Sequence, residues 1–197
     1  MKDEKFTIEY LSKVLTKKLE SNPQFIEICK FVSQNTSGNI WLIGGAVSRT
    51  LASELYNTPG VDCDFDFVTD ASLKSPLVVP QGWSVSYRKF GNPTFARGNI
   101  TVDLWPLSTH SYISENKLSP TIENLFKGVS YTIQAMAYDV KTKKIVGEIG
   151  IAALKDRKFA VNNLKIASDE ARRKGTTVSE RMTQKAKSMD FGVILPE

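Results

Sequence analysis

The most constraining feature of the sequence is the segment VDCDFDFV at residues 61–68, in which acidic and apolar residues alternate. Because successive side chains of a β-strand point to opposite faces, this alternation predicts a strand that carries Asp62, Asp64 and Asp66 on one face. The apolar side chains between them would lie on the other face and would need a packed core. The three carboxylates would repel one another, because neighbouring like charges raise each other's pKa.

A divalent cation would relieve this repulsion, since Mg²⁺ and Mn²⁺ prefer oxygen ligands and commonly bind between carboxylates and substrate phosphates. The segment ITVDLW places Asp103 in a second apolar strand. If the two strands are neighbours, Asp64, Asp66 and Asp103 converge on one metal site. An EF-hand calcium loop is excluded, because Phe67 and Leu73 occupy its glycine and glutamate positions. A solvated acidic edge strand remains the alternative.

A glycine pair, Gly44 and Gly45, follows the apolar run IWLI and precedes a segment whose apolar residues have helical spacing. This order predicts a strand, a tight turn and a helix. Glycines let a phosphate approach the backbone, and the N-terminus of the helix offers free N–H groups and a positive dipole end. A phosphate site and a simple tight turn both fit the pair. Neither a Rossmann GxGxxG motif nor a P-loop is present in the sequence.

Composition bounds the class of protein. The 197 residues are 41% hydrophobic and 10% aromatic, which is enough to form a core and to exclude a disordered chain. No apolar run has the roughly 20 residues of a membrane-spanning helix, and the charged start MKDEKFTIEY differs from a signal peptide, so we expect a cytoplasmic protein without a membrane partner. Cys29 and Cys63 lack metal-site spacing and are expected to be reduced thiols. The net charge of +5 favours an anionic partner only weakly.

Periodicity divides the chain into three segments. Residues 1–36 show two helical patterns, which we interpret as a cover for the segment after them. Residues 37–163 combine short strands with short helices, and residues 164–197 are helical and basic. The strands predicted after the first acidic one are 83–90, 94–97, 99–107, 131–140 and 143–150, followed by a helix from residue 151.

Several segments resemble, in order, the head domain of the tRNA CCA-adding enzymes and bacterial poly(A) polymerases, within the polymerase-beta nucleotidyltransferase superfamily. LIGGAVSRTL resembles the strand, glycine pair and helix of that head, and DFDFVTDA resembles its strand with two aspartates. FGNPTFARGNITVDL is similar to its next hairpin, which makes Asp103 the third acid. The resemblance covers residues 40 to about 163. It implies an α+β fold, with a small mixed sheet and helices packed on it, in a minimal stand-alone version of the head.

The resemblance also implies roles for individual residues. Asp64, Asp66 and Asp103 would be catalytic and would bind Mg²⁺ or Mn²⁺. The nucleotide-binding residues that it implies are Gly44, Gly45, Ser48, Arg49 and Lys127.

Some positions depart from the pattern of the family. Arg49 comes one residue late, which on a helix is a rotation of about 100°. Residues 127–130 replace an arginine pair and an aspartate. In the family, a neck helix that follows the head carries a motif that selects the incoming base. In this chain, Asp169 and Arg172 match only the spacing within that motif. The basic residues between 172 and 187 could follow a nucleic-acid backbone, but we interpret them as a solvated helix face.

The activity implied is metal-dependent transfer of a nucleoside monophosphate from an NTP to an acceptor hydroxyl, such as the 3′ end of a tRNA-like RNA. The expected partners are an NTP and an RNA acceptor, with a protein partner as a further option. Two alternatives stay open. One is a catalytically impaired head that binds nucleotide or RNA, and the other is a toxin–antitoxin type of nucleotidyltransferase that acts on RNA or on a protein partner.

Overall fold

The computed structural model describes residues 4–59, 64–88 and 90–195. Asp62 and Cys63 therefore lie outside the described residues, as do the predictions made for them. Helices and strands follow one another along the rest of the chain. They are α1 (Ile8–Glu20), α2 (Pro23–Gln34), β1 (Ile40–Ile43), α3 (Gly45–Tyr56), β2 (Asp64–Thr69), β3 (Ser84–Tyr87), β4 (Pro93–Arg97), β5 (Ile100–Pro106), α4 (Ser111–Glu115), α5 (Ile122–Lys127), β6 (Ala137–Asp139), β7 (Lys144–Val146), α6 (Glu148–Asp156), β8 (Lys158–Ala160), α7 (Leu164–Arg173), α8 (Val178–Lys187) and β9 (Gly192–Ile194).

The helix starts depend on capping residues in the sequence. The side chain of Thr7 caps α1, and Asn22 caps α2, which has Pro23 in its first turn. Thr177 and Glu180 form a reciprocal capping box at the start of α8. Each cap satisfies backbone N–H groups that have no partner inside the helix, and this fixes where each apolar helical stripe begins.

Seven strands form one mixed sheet in the order β3-β4-β5-β2-β1-β6-β7, and β8 pairs in parallel with β9. Strands β2 and β5 are parallel, whereas β1 runs antiparallel to β2 and β6. Because β2 and β5 run in the same direction, their alternating patterns are in phase. Phe67 pairs with Leu104 and Asp66 pairs with Asp103. The two acidic strands are therefore neighbours, as the convergence of their carboxylates requires.

The two faces of the sheet are covered differently. One face carries Phe67 and Leu104, which pack into a core together with α1, α2 and α3. On the other face, Val68 at the end of β2 packs in a second cluster with residues of α4 and α5. This second cluster covers only the end of the strands, so the acidic start of β2 and the neighbouring part of β5 are left for polar side chains.

The segment 131–140 differs from the predicted continuous strand. Its first half forms a 3₁₀ turn, and only Ala137–Asp139 is a strand. The side chain of Gln134 accepts a hydrogen bond from the N–H of Tyr131 at 3.2 Å and closes the turn locally. A local side-chain bond thus replaces the ladder bonds that the strand-like composition suggested.

Other elements were missed or misplaced because they are short. Helix α4 and strand β9 have too few residues to show a period. Helix α6 begins at Glu148, earlier than predicted, because Gly147 at φ 109° ends the preceding strand.

One hydrophobic core contains residues of all three predicted segments. Leu11 and Ile28 come from the N-terminal helices, Leu42 from β1, and Met182 and Ala186 from α8, and all five are fully buried. The C-terminal helices are therefore packed against the sheet and its covering helices. Within the described ranges, no helix combines the length and the apolar content needed to cross a membrane.

Candidate functional site

Three carboxylates lie on the open part of the sheet, near the start of β2 and β5. Asp66 and Asp103 are direct register partners, and Asp64 is opposite Thr101. Neighbouring strands are about 4.8 Å apart, so the side chains of Asp66 and Asp103 leave the same face next to each other. All three carboxylates line one cavity of about 620 Å³, which we call the acidic cavity. The structure thus brings together acids that the sequence places on two separate strands.

Two of these acids have polar partners in the fold. Asp103, whose side chain is 14% exposed, is contacted by Arg88 through both oxygens, at 3.1 Å from Nε and 2.5 Å from Nη2. It also accepts a hydrogen bond from Thr94 at 2.5 Å. Asp64 is exposed and accepts a hydrogen bond from Thr101 at 2.6 Å. Arg88, at the end of β3, is therefore a counter-charge for Asp103.

Asp66 lies between these two acids and is half-buried. Burial, and next the neighbouring Asp103 carboxylate, raise the pKa of Asp66 to about 6, with a further contribution from Asp64 and opposition from Arg88. Burial is thus the main reason why the charged form of Asp66 is disfavoured. The acidic cavity also contains basic side chains, among them Arg88 and Arg181.

The donor atoms of the acidic cavity fit a divalent cation, but the ligand set is incomplete. Carboxylate oxygens are the ligands that Mg²⁺ and Mn²⁺ prefer, and Asp66 needs a counter-charge. In the parts of the chain that the structure describes, no group of three or more His, Cys, Asp and Glu side chains could hold a metal ion. Arg88 occupies both oxygens of Asp103, the acid that such an ion would share with Asp66. The residues fit a cation held by Asp66 and Asp103 once Arg88 has moved away.

The diglycine turn lies directly beside Asp66. Gly44 has φ 72°, and a Cβ there would lie 2.9 Å from Oδ2 of Asp66. A Cβ on Gly45 would lie 2.7 Å from the guanidinium of Arg49. The absence of side chains at the two glycines thus makes room for two protein groups, a carboxylate and a guanidinium. The sequence alone had left both a phosphate site and a simple tight turn open for this pair.

A second cavity, of about 400 Å³, lies between the start of α3 and helix α8, and we call it the basic cavity. It shares Asp66, Gln134 and Arg181 with the acidic cavity, so the two are contiguous. Its two walls are formed mainly by Gly44, Gly45, Ser48 and Arg49 from the turn and α3, and by Arg181 and Lys185 from α8.

Four of the five predicted nucleotide-binding residues line the basic cavity, and Lys127 does not. Ser48 donates a hydrogen bond to the carbonyl of Gly44 at 3.1 Å, and Arg49 reaches the cavity in spite of its displacement by one position. Lys127 donates to Asn124 at 2.9 Å and lines a separate depression. It lies elsewhere because α5 packs on the part of the sheet away from the acids.

The C-terminal helices contribute residues other than the predicted pair. Asp169 and Arg172 bond to each other on the exposed side of α7. Glu170 and Arg173, which have the same spacing, line the acidic cavity. The prediction of a solvated basic face is correct for Arg172, whose side chain is 78% exposed, and wrong for Arg181, at 23%. The apolar side of α8 packs into the core, and this packing turns the adjacent basic residues inward.

The functional candidates missed in the sequence are Arg88, Glu170, Arg181 and Lys185. A signal existed for the last two, since they are four residues apart on a helix and border its apolar stripe at Met182. The pairing of Arg88 with Asp103 depends on the register of three strands, and the local sequence contains no sign of it.

Comparisons with known proteins identify the fold. Neither a protein-family model nor a curated protein sequence matches the chain. Among solved structures, a CCA-adding enzyme with CTP has a TM-score of 0.61 at 17% identity, over 94% of this chain and 43% of its own. The Bacillus stearothermophilus CCA-adding enzyme in complex with CTP has a TM-score of 0.57 at 17% identity, over 88% of this chain and 41% of its own.

The Thermotoga maritima CCA-adding enzyme complexed with tRNA has a TM-score of 0.55 at 17% identity, over 89% of this chain and 44% of its own. The chain thus spans about two fifths of the length of the solved structures that it matches. At this identity the likeness establishes the fold alone. The predicted α+β fold, a nucleotidyltransferase-like head with a mixed sheet and packed helices, is confirmed.

We expect Gly44→Ala to displace the carboxylate of Asp66 and to strain the turn, because the position has a positive φ and no room for Cβ. The free energy of unfolding, measured by urea denaturation, should fall by about 2–3 kcal/mol. Gly82→Ala is the matched control, since Gly82 also has a positive φ, of 80°, but has open space around it. In Gly82→Ala the free energy of unfolding should fall less, by about 1 kcal/mol. Equal losses in the two variants would show that the contact with Asp66 is unimportant.

We expect Asp66→Asn to stabilise the metal-free protein at neutral pH. The folded protein keeps the Asp66 proton up to about pH 6, whereas an unfolded aspartate releases it near pH 4, so this group favours folding at low pH and opposes it above pH 6. In the presence of a chelator, the free energy of unfolding of Asp66→Asn should exceed that of wild type by up to about 3 kcal/mol at pH 7.5. The two values should approach each other near pH 4.

Asp64→Asn is the control, because it removes a charge from the same strand face at an exposed position. The free energy of unfolding should rise less in this variant than in Asp66→Asn. Added Mn²⁺ should stabilise wild type and leave Asp66→Asn unchanged. If Asp66→Asn is only as stable as wild type at pH 7.5, the raised pKa of Asp66 is contradicted.

Proposed function

We propose that this protein is a nucleotidyltransferase that uses an NTP and Mg²⁺ or Mn²⁺ and transfers a nucleoside monophosphate to the 3′ hydroxyl of an RNA. The observation that carries the proposal is the register pairing of Asp66 with Asp103 at the border of the basic cavity. A nucleoside triphosphate with a divalent cation suits two contiguous cavities, one that contains the three aspartates and one that contains three cationic side chains. The similar folds solved with CTP and with tRNA support a nucleotide and an RNA as partners.

The residues divide the reaction between the two cavities. Gly44, Gly45 and the N-terminus of α3 bind phosphate oxygens through backbone N–H groups. Asp66 and Asp103 would hold the divalent cation, which would supply charge neutralisation at the reacting phosphate and activation of the acceptor hydroxyl. Asp103 orients that hydroxyl and accepts its proton. The acceptor oxygen bonds to the α-phosphorus as the bond from the α-phosphorus to the bridging oxygen breaks, and pyrophosphate leaves.

A second candidate is supported by the pairing of Arg88 with Asp103. This ion pair occupies the acid that the reaction requires, and it fits a head that binds nucleotide or RNA without turnover. In that case the nucleotide affinity would not depend on divalent cations or on Asp103. The first candidate instead requires Arg88 to release Asp103 when the cation binds.

The proposed function predicts incorporation of labelled nucleotide. Wild type is incubated with each of the four α-labelled NTPs, with Mg²⁺ or Mn²⁺, and with total RNA and total protein as acceptors. We expect label in RNA, and a loss on the order of 100-fold or more for Asp66→Asn and Asp103→Asn. Asp156→Asn, at an exposed position on α6, is the control and should retain activity. If wild type binds nucleotide but transfers none, the second candidate is favoured. If label appears in protein alone, the acceptor is a protein and not an RNA.

Arg88→Met should raise the affinity for Mn²⁺, because the guanidinium and the cation compete for the same two oxygens of Asp103. A several-fold lower dissociation constant, about 3- to 10-fold, should appear when free Mn²⁺ is followed by electron paramagnetic resonance. Arg97→Met is the charge-matched control, since Arg97 lies on the neighbouring strand but contacts Glu27. Mn²⁺ affinity that is unchanged in Arg88→Met would indicate that Asp103 is not a ligand.

A further inference from the structure

Helix α8 places two cations in the wall of the basic cavity. Arg181 and Lys185 are four residues apart and therefore lie on one side of the helix. Their side chains are only 23% and 25% exposed, although the sequence around them is basic and polar. Across the cavity lie Arg49 and the start of α3. Three cationic side chains, from α3 and α8, thus line one cavity.

The two cations of α8 share one acidic partner. Glu170, at 16% exposure, accepts from Nε of Arg181 at 3.2 Å and lies 3.1 Å from Nζ of Lys185, so one carboxylate serves two cations. Burial lowers the pKa of Lys185; Glu170 opposes this effect, and Arg181 and Arg49 add to it. An anion in the basic cavity would relieve this repulsion. The cavity is therefore complementary to a compact group that bears several negative charges.

The position of Glu170 connects helices α7 and α8 with residues 127–130, which lack the acidic side chain expected from the resemblance. By the resemblance, an aspartate and an arginine pair are expected at residues 127–130, where this chain has Ser130 instead of the acid. The hydroxyl of Ser130 donates to Glu170 at 2.6 Å. Helix α7 thus supplies a carboxylate at the place where the chain lacks one. This carboxylate in turn holds the two cations of α8.

We propose, on the premise of the proposed function, that Arg181 and Lys185 bind the β- and γ-phosphates of the incoming NTP and that Glu170 is their counter-charge in the nucleotide-free protein. Phosphate groups, each contacted by a guanidinium or ammonium group, form short charge-assisted hydrogen bonds in such a setting. The α-phosphate lies toward Asp66, at the border of the two cavities.

The proposal is tested by calorimetric binding of sodium tripolyphosphate, an NTP and the matching nucleoside at physiological salt. Arg181→Gln and Lys185→Met should each weaken tripolyphosphate and NTP binding by about tenfold or more and leave nucleoside binding unchanged. Lys187→Met is the control, because Lys187 is an exposed residue of the same helix, and its affinities should equal those of wild type. The same loss in Lys187→Met would overturn the proposal in favour of a general effect of charge, such as binding along an RNA backbone.

Glu170→Gln separates binding from a structural role. It should lower the melting temperature, because it breaks the network that joins α7, α8 and Ser130, yet tripolyphosphate affinity should not fall, since both cations remain. If affinity follows melting temperature across Glu170→Gln, Arg181→Gln and Lys185→Met, the cations are structural and the proposal is wrong. Failure of wild type to bind tripolyphosphate would also overturn it. Binding that depends on Arg181 and Lys185 without nucleotide transfer would uphold this inference and reject the proposed catalysis.

Discussion

The repulsion between the carboxylates of Asp66 and Asp103 is the constraint around which the site is organised. Parallel pairing of β2 and β5 holds the two acids side by side on a half-covered face. The protein surrounds them with cations from distant parts of the chain, namely Arg88 from the end of β3 and Arg181 from α8. These cations reduce the repulsion without removing it, since the pKa of Asp66 remains about 6. This arrangement supports the metal and nucleotide binding that we propose for the site.

The fold tolerates this repulsion because the opposite face of the same strands is apolar and buried. Phe67 and Leu104 are completely buried and are register partners, as are the two acids one residue earlier. A shift of one residue between β2 and β5 would place a carboxylate in the core and an aromatic ring in the cavity. Burial of each of these two apolar side chains contributes about 1.5–3 kcal/mol, so together they offset a cost of up to about 3 kcal/mol for the charged Asp66. The hydrophobic core therefore enforces the geometry of the polar site.

The sequence was sufficient for the parts of the fold and site that local patterns encode. Strict alternation identified β2 and placed Asp64 and Asp66 on one face, and the glycine pair located the turn before α3. The carboxylate in the second apolar strand, ITVDLW, supplied the expectation that Asp103 joins them, and the resemblance agreed with it. Local patterns do not encode pairing between distant strands, so the contact of Arg88 with Asp103 could not be predicted. Gln134 was expected in a strand and instead closes a turn through its own side chain.

The C-terminal segment shows most clearly why composition misled. Its basic residues suggested a solvated face, and for an isolated helix this would be the lowest-energy arrangement. Met182 and Ala186, however, are fully buried in the core, and burial of these two residues fixes the rotation of α8. Arg181 and Lys185, four residues apart at the border of this apolar stripe, then face the glycine turn. Packing of a few apolar residues, rather than attraction between charges, thus brings the second half of the basic cavity into place, and the charges determine what the cavity can bind.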